Sequence, residues 1–300
     1  MTPEKPVTID HELLRTKALP STDGDKSERG TVLVVGGARQ TPGAVLLAAE
    51  TALRLGAGKV QVATARDTAA AVAAALPEAF VEGLPILDNG ELAVDGADRV
   101  VELAASADVV LLGPGLGDPE CANLLLSQII PRVDVHLVLD ALGTAYLTGH
   151  LDGVRHLDGR VVLTPNATEL AAMLERPEED VEQDLLGAAR ELAEQTGAVV
   201  LSGAGTSYVV APGGEAWCSE AGPTALATAG SGDVKAGAVA GLVGRGASPE
   251  QAAMWGLWLH GKAGERLARE QPGFLARHVV EAIPQELARA EDGGTHAASS

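Results

Sequence analysis

Thr31-Val32-Leu33-Val34-Val35-Gly36-Gly37 is an unbroken β-branched and aliphatic run closed by two glycines. A short apolar run of this kind reads as a strand buried on both faces. The stretch that follows, 43–55, places Ala44, Leu47, Ala48, Thr51 and Leu55 near one helical face, and Gly56 and Gly58 stop it. Strand, glycine turn and helix then recur along the chain. A strand over 59–64 precedes an Ala-rich helix over 67–76. A strand over 108–112 runs into Gly113-Pro114-Gly115-Leu116-Gly117, one over 136–139 ends at Asp140, and one over 161–163 ends in Thr164-Pro165. Strands over 198–201 and 207–210 flank Gly203-Ala204-Gly205, and the last third reads as helices over 231–243, 249–269 and 276–290. This alternation predicts βαβ units and an α/β fold with a mostly parallel central sheet between helices on both faces. Ligands of such sheets sit beyond the C-terminal strand ends. The turns after Val35, Leu112, Leu139, Leu163 and Leu201 should therefore line one rim.

Three segments are expected. Residues 1–29 are polar and read as an N-terminal arm and loop, in which Leu19-Pro20 could dock. Residues 30–290 form a single catalytic domain, and 291–300 a small, polar, disordered tail. The chain has 300 residues, 46% of them hydrophobic but only 2% aromatic, so its core must be built from Ala, Val and Leu and must pack closely. A net charge of −19 argues against nucleic acid or an anionic membrane as partners. It leaves room for a nucleotide held by backbone N–H groups and helix N-termini. Two isolated cysteines, Cys121 and Cys218, make neither a disulfide framework nor a zinc site, and a reducing cytoplasm is expected. Met1 to Pro20 lacks the apolar core of a signal peptide, and no apolar run reaches the roughly 18 residues of a spanning helix.

Ala227-Thr228-Ala229-Gly230-Ser231-Gly232-Asp233 is the strongest chemical signal. Small residues let backbone approach a phosphate, and the helix after them presents unpaired N–H groups and its positive dipole end. Asp233, in the first turn, could take a proton from a hydroxyl attacking phosphorus; alternatively it is only a favourable first-turn acid. Gly113-Pro114-Gly115-Leu116-Gly117 reads first as a tight strand-to-helix turn, on which a substrate could lie flat. Gly36-Gly37 does not complete a G-x-G-x-x-G fingerprint, and no Walker sequence is present. The 202–206 turn is either a plain hairpin or the edge of a nucleotide pocket. Asp140 could reach a metal or substrate, or cap a helix. His260, near Trp255 and Trp258, reads as a packed helical histidine. No His/Cys/carboxylate spacing suggests a metal site.

Taken in order, these segments resemble the ADP/ATP-dependent NAD(P)H-hydrate dehydratases of the ribokinase-like superfamily, in their stand-alone bacterial form. The resemblance runs from about Gly30 to Leu267. It rests on Gly30 through Gly37, Pro42-Gly43-Ala44, Gly56-Ala57-Gly58-Lys59-Val60, Leu76-Pro77-Glu78, Gly113 through Gly117, Val138-Leu139-Asp140-Ala141, Leu163-Thr164-Pro165 with Glu169, Gly203 through Thr206, Leu226 through Asp233, and Leu259 through Gly264. It implies a three-layer sandwich and repair of the S epimer of hydrated NADH or NADPH, with ADP (or ATP) as co-substrate and Mg2+ on its phosphates. AMP and phosphate would be released.

By motif position, Asp233 would be catalytic. Gly43, Ala44, Gly113, Asn166 and Asp233 would contact the hydrated dinucleotide. Ser202, Gly203, Ala204, Gly205, Thr206, Gly230, Ser231 and Gly232 would contact the nucleotide. No direct protein ligation of metal is expected. The resemblance also implies a functional link to an NAD(P)H-hydrate epimerase, a cytoplasmic setting and a homo-oligomer, a tetramer by family. The chain departs from the family pattern in three places. Asn166 stands for the usual His, Ser202 stands for the usual Lys, and Leu139-Asp140-Ala141-Leu142-Gly143 replaces Asp-Ala-Asp-Ala-Leu-Asn. Lys235, just inside the last-third helix, is a candidate replacement for the lost cation. A kinase of a vitamin-type alcohol and a non-catalytic nucleotide-binding homologue would use the same glycine corner. The Gly113–Gly117 loop and the Leu163-Thr164-Pro165…Glu169 run favour the dehydratase.

Overall fold

The computed structural model describes residues 5–21, 29–203, 205–222 and 226–292. Among them the strands are β1 (Val7–Thr8), β2 (Thr31–Val35), β3 (Lys59–Ala65), β4 (Phe80–Leu84), β5 (Val109–Leu112), β6 (His136–Leu139), β7 (Val161–Leu163), β8 (Val199–Gly203), β9 (Ser207–Val210) and β10 (Ala216–Ser219). The helices are α1 (His11–Thr16), α2 (Pro42–Arg54), α3 (Arg66–Ala75), α4 (Ala97–Ala104), α5 (Pro119–Ile129), α6 (Ala167–Leu174), α7 (Glu178–Gln183), α8 (Leu185–Thr196), α9 (Ser231–Gly244), α10 (Pro249–Glu270) and α11 (Ala276–Asp292).

All the strands join one sheet in the order β1-β10-β9-β8-β7-β6-β5-β2-β3-β4. From β4 across to β8 every pairing is parallel. The β8/β9 and β9/β10 pairs are antiparallel, a hairpin and its extension. The chain leaves β2 towards β3 and β4, then returns to β5 on the opposite flank of β2. That reversal is the point at which an open α/β sheet leaves a crevice at its C-terminal rim.

The strands are apolar on both sides because helices cover both faces. Val32, Val34, Val62, Val109 and Leu111 belong to the core shared with α2, α9, α10 and α11. Leu33, Val35, Val110, Leu112 and Leu139 belong to the core shared with α4, α5, α6 and α8. The expected three-layer sandwich is present, and the strands read from 31–35, 136–139, 161–163 and 207–210 coincide with β2, β6, β7 and β9.

Close packing sets the position of α9. A Cβ on Gly237 would lie 2.3 Å from the Ala48 carbonyl oxygen, and one on Gly241 would lie 2.7 Å from the Ala52 Cα. Two glycines one helical turn apart therefore let α9 rest backbone to backbone on α2. This contact fixes where the first turn of α9 emerges at the rim.

The polar N-terminal stretch is built into the fold over its described part. β1 pairs with the edge strand β10, and Ile9 and Leu14 are buried. Trp255 Nε1 donates to the Lys17 carbonyl at 2.8 Å, and Arg245 Nε donates to the Pro20 carbonyl at 2.8 Å. At the other end α11 continues through Asp292, two residues into the stretch expected as tail, and Glu291 there accepts from Arg245 at 2.7 Å. The remainder of the expected tail, 293–300, and loop residues 22–28 lie outside the described residues.

Candidate active site

At the switch point the loops after β2 and β5 are laced together. The Gly37 N–H donates to Pro114 at 2.8 Å and the Ala38 N–H to Gly115 at 2.9 Å. A Cβ on Gly36 would lie 2.0 Å from the Pro114 carbonyl oxygen, so only glycine permits this approach. Gly113 has φ +120°, and its Cβ would fall 1.8 Å from the Asp140 carbonyl oxygen. Gly113 is buried, and its lack of a side chain brings the loop after β6 down over β5. Thr41 Oγ1 donates to the Gly115 carbonyl at 2.6 Å and pins the start of α2 to the same rim. There Gly43 is exposed, with open space around the position a Cβ would occupy. Ala44 lies against Gly115.

The first turn of α9 meets this rim. Gly230 takes φ +88° as the residue before the helix, a conformation that favours glycine. The Ser231 hydroxyl bonds His260 Nε2 at 2.9 Å across to α10. Burial, with the nearby Lys235 charge adding to it, pushes His260 down to about 3, so the imidazole is neutral and its work is to hold Ser231. Gly232 is exposed with no atom near its missing Cβ, which leaves its backbone open to a ligand. Asp233 is half-buried. Burial, and secondarily the charge of Asp140, push its carboxyl up to about 7. The helix N-terminus, which favours an anion, acts in the opposite direction. A carboxylate poised near neutrality is suited to accept a proton.

Asp140 is 5% exposed and ends β6 without capping the short helix after it. It accepts a hydrogen bond of 2.5 Å from Thr164 Oγ1 instead. Burial raises its carboxyl above the ordinary range, against the Thr164 bond and the nearby Lys235 charge. The residue after it, Ala141, has φ +48°, a left-handed conformation rare for a side chain other than glycine. Strain of this sort is commonly retained at functional rims.

A cavity of about 570 Å³ opens beside this turn, lined by Gly203, Gly205, Thr228, Ser231, Gly232, Lys235 and His260 among others. A second cavity of about 780 Å³ shares Asn166, Gly203 and Gly205 with it and extends to Thr206 and Tyr208. Volumes of this order suit a nucleotide. Asp233 is not in the wall of either cavity; it follows directly on Gly232, which is. The chain thus hands over from cavity wall to acid within two residues.

The structure distributes the other site residues as follows. Asn166 borders both cavities, but its Oδ1 accepts from the Glu169 N–H at 2.8 Å and Glu169 returns the bond at 3.0 Å, a reciprocal cap on α6. Ser202 is 1% exposed, and its hydroxyl has no hydrogen-bond partner among the described residues. Gly205 and Thr206 sit in the β8–β9 turn at the cavity edge, while Ala204 lies outside the described residues. The sequence reading did not single out Gly237 and Gly241. Their four-residue spacing inside an Ala-rich helix was the available signal.

The fold aligns with solved ribokinase-like proteins: a superfamily member from Enterococcus faecalis matches with a TM-score of 0.78, 24% identity and cover of 95% of this chain and 96% of that one. An ADP/ATP-dependent NAD(P)H-hydrate dehydratase from Bacillus subtilis, co-crystallised with ATP and Mg2+, aligns with a TM-score of 0.80, 24% identity and cover of 95% and 99%. The fold is therefore of the ribokinase-like class. Within that class the chain belongs to the carbohydrate-kinase-like family described as NAD(P)H-hydrate dehydratase, whose model matches residues 32–285. The ADP-dependent (S)-NAD(P)H-hydrate dehydratase of Xanthomonas campestris is 38% identical over 98% of this chain and 100% of its own. The bifunctional NAD(P)H-hydrate repair enzyme of Moorella thermoacetica is 35% identical, and this chain spans 51% of its length.

Proposed function

We propose that the chain is an ADP-dependent (S)-NAD(P)H-hydrate dehydratase that returns hydrated NADH or NADPH to the reduced dinucleotide. One observation carries the reading. A carboxyl group poised at about 7 directly follows the exposed Gly232 backbone, at the end of a nucleotide-sized cavity, in a chain of this family.

In this reading the polyphosphate of ADP lies against the exposed Gly232 backbone at the start of α9, where first-turn N–H groups lack a helical partner. The hydrated nicotinamide ring lies on the other side, between Asp233 and the exposed start of α2 at Gly43-Ala44. Gly113 supports that floor by holding the Asp140 loop close. Asp233 takes the proton of the ring hydroxyl as its oxygen bonds the terminal phosphorus of ADP. The bond from that phosphorus to the bridging oxygen breaks, and AMP leaves. The Gly232 N–H stabilises charge on the transferred group, while the Ser231 N–H is spent on the Thr228 carbonyl at 3.1 Å. The ring carbon–oxygen bond then breaks with phosphate as leaving group, and a proton leaves the neighbouring ring carbon, restoring the double bond.

Magnesium on the nucleotide would neutralise phosphate charge. The free Cys121 and Cys218 fit a cytoplasmic setting, and among the described residues no helix is long and apolar enough to cross a membrane. A homo-oligomer, and supply of the S epimer by an epimerase, follow from the family resemblance.

Purified chain given hydrated NADH, ADP and magnesium should restore the absorbance of the reduced nicotinamide ring, and should not do so without nucleotide. A phosphorylated alcohol accumulating in place of reduced ring would make it a kinase instead.

A further inference from the structure

Lys235 lies four residues beyond Ser231, so both side chains fall on the same face of α9, and both line the 570 Å³ cavity. It is the only Lys or Arg among the described residues lining either cavity. The neighbouring cavity is edged by Glu178, Glu182 and Asp184. Ser202 is neutral and enclosed, and His260 is neutral and engaged by Ser231. A polyphosphate entering this acidic chain therefore meets a single side-chain cation, at the end where α9 begins.

Lys235 makes no ion pair within 4.0 Å among the described residues. Burial pushes its amine down from the ordinary lysine range, and the nearby Asp140 and Glu169 act against that shift. Its amine thus lines the cleft without being consumed by a salt bridge, and a phosphate arriving there would favour its charged form. Every cation held tightly by a carboxylate would have to break that contact to bind phosphate; this one need not.

We propose that Lys235 is the residue that recognises the terminal phosphate of the nucleotide, setting preference for a nucleoside diphosphate over the monophosphate and orienting the nucleoside towards Tyr208. This rests on the nucleotide-dependent reading above. The acids beside Tyr208 in the neighbouring cavity repel the phosphates, and Lys235 with the α9 N-terminus attracts them, so the two adjoining cavities impose the same orientation.

The test is calorimetric titration of ADP and of AMP, with magnesium, into wild-type protein, Lys235→Gln and Lys235→Arg. Wild type should bind ADP more tightly than AMP. Lys235→Gln should lose roughly 10- to 100-fold in ADP affinity, the scale of a charge-assisted contact, and little in AMP affinity. Lys235→Arg should keep most of the preference. If Lys235 were only a counter-ion for Asp140 and Glu169, Lys235→Gln would lower the melting temperature and weaken ADP and AMP alike. That result, or an unchanged ADP preference, overturns the assignment. A wild-type protein that binds no ADP would instead overturn the nucleotide-dependent reading as a whole.

Discussion

Replacing Asp233 with Asn should slow turnover sharply and make the protein more stable above neutral pH. The carboxyl of Asp233 is displaced from an ordinary 3.8 to about 7, first by burial and then by Asp140. Each tenfold change in proton affinity is worth about 1.4 kcal/mol, so ionising this group costs the folded chain about 4 kcal/mol more than the unfolded one. Asp233 is only half-buried, and solvent screening reduces the usable figure to about 2–4 kcal/mol. The sign follows from proton binding. Below 3.8 both states hold the proton and nothing is lost; between 3.8 and about 7 the unfolded chain releases it first, so stability falls as pH rises; above 7 the loss is complete. Asn carries no such cost. In a chain of this length about 2–4 kcal/mol corresponds to a rise of about 3–6 °C in melting temperature. Thermal denaturation of Asp233→Asn and wild type at pH 8 and pH 4 reads this directly. The variant should melt higher at pH 8 and within about a degree of wild type at pH 4. Its kcat should fall by about 10²–10⁴, the usual worth of a general base. Equal or lower melting of the variant at pH 8 would refute the claim that this acid is held in a costly ionised state.

Two further outcomes follow from the same geometry. Asp140→Asn removes the charge that contributes to raising Asp233, so the rising limb of kcat/KM against pH, set near 7 in wild type, should move to lower pH by up to about one unit; burial, the larger cause, remains. Gly237→Ala would place a methyl 2.3 Å from the Ala48 carbonyl oxygen, and should cost about 2 kcal/mol or more of stability, read by denaturant titration, while displacing the first turn of α9 and lowering kcat.

Much of the fold was legible because the central strands are unambiguous. Val32 to Val35, Val109 to Leu112 and Leu137 to Leu139 are covered on both faces, so they are apolar throughout and bounded by glycine or Asp140. Edge elements were harder. β4 contains Glu82 and Gly83 and is half-exposed, and β1 is two residues long, so neither carries a continuous apolar signal. The N-terminal stretch read as an arm and loop, with only Leu19-Pro20 able to dock, because its anchors Ile9 and Leu14 are isolated apolar residues among polar ones; its other ties are backbone carbonyls accepting from Trp255 and Arg245.

The site was legible where chemistry and backbone coincide. Gly230 to Asp233 could be read because a phosphate-binding turn requires small residues followed by a helix. The work of Asn166 could not, since a helix cap and a ligand contact ask for the same amide; nor could the direction of Lys235, which depends on how α9 is rolled against α2. That roll is set by Gly237 and Gly241, whose role appears only when Ala48 and Ala52 are seen beneath them.

The most direct measurement of the central claim is product stoichiometry. Wild-type protein, hydrated NADH of S configuration, ADP and magnesium would be followed by absorbance and by phosphorus NMR in the same sample. One AMP and one phosphate should form for each reduced nicotinamide restored, and Asp233→Asn should form both more slowly by about 10²-fold or more. Nucleotide cleavage without restored NADH, or a stable phosphorylated product in its place, would contradict the account.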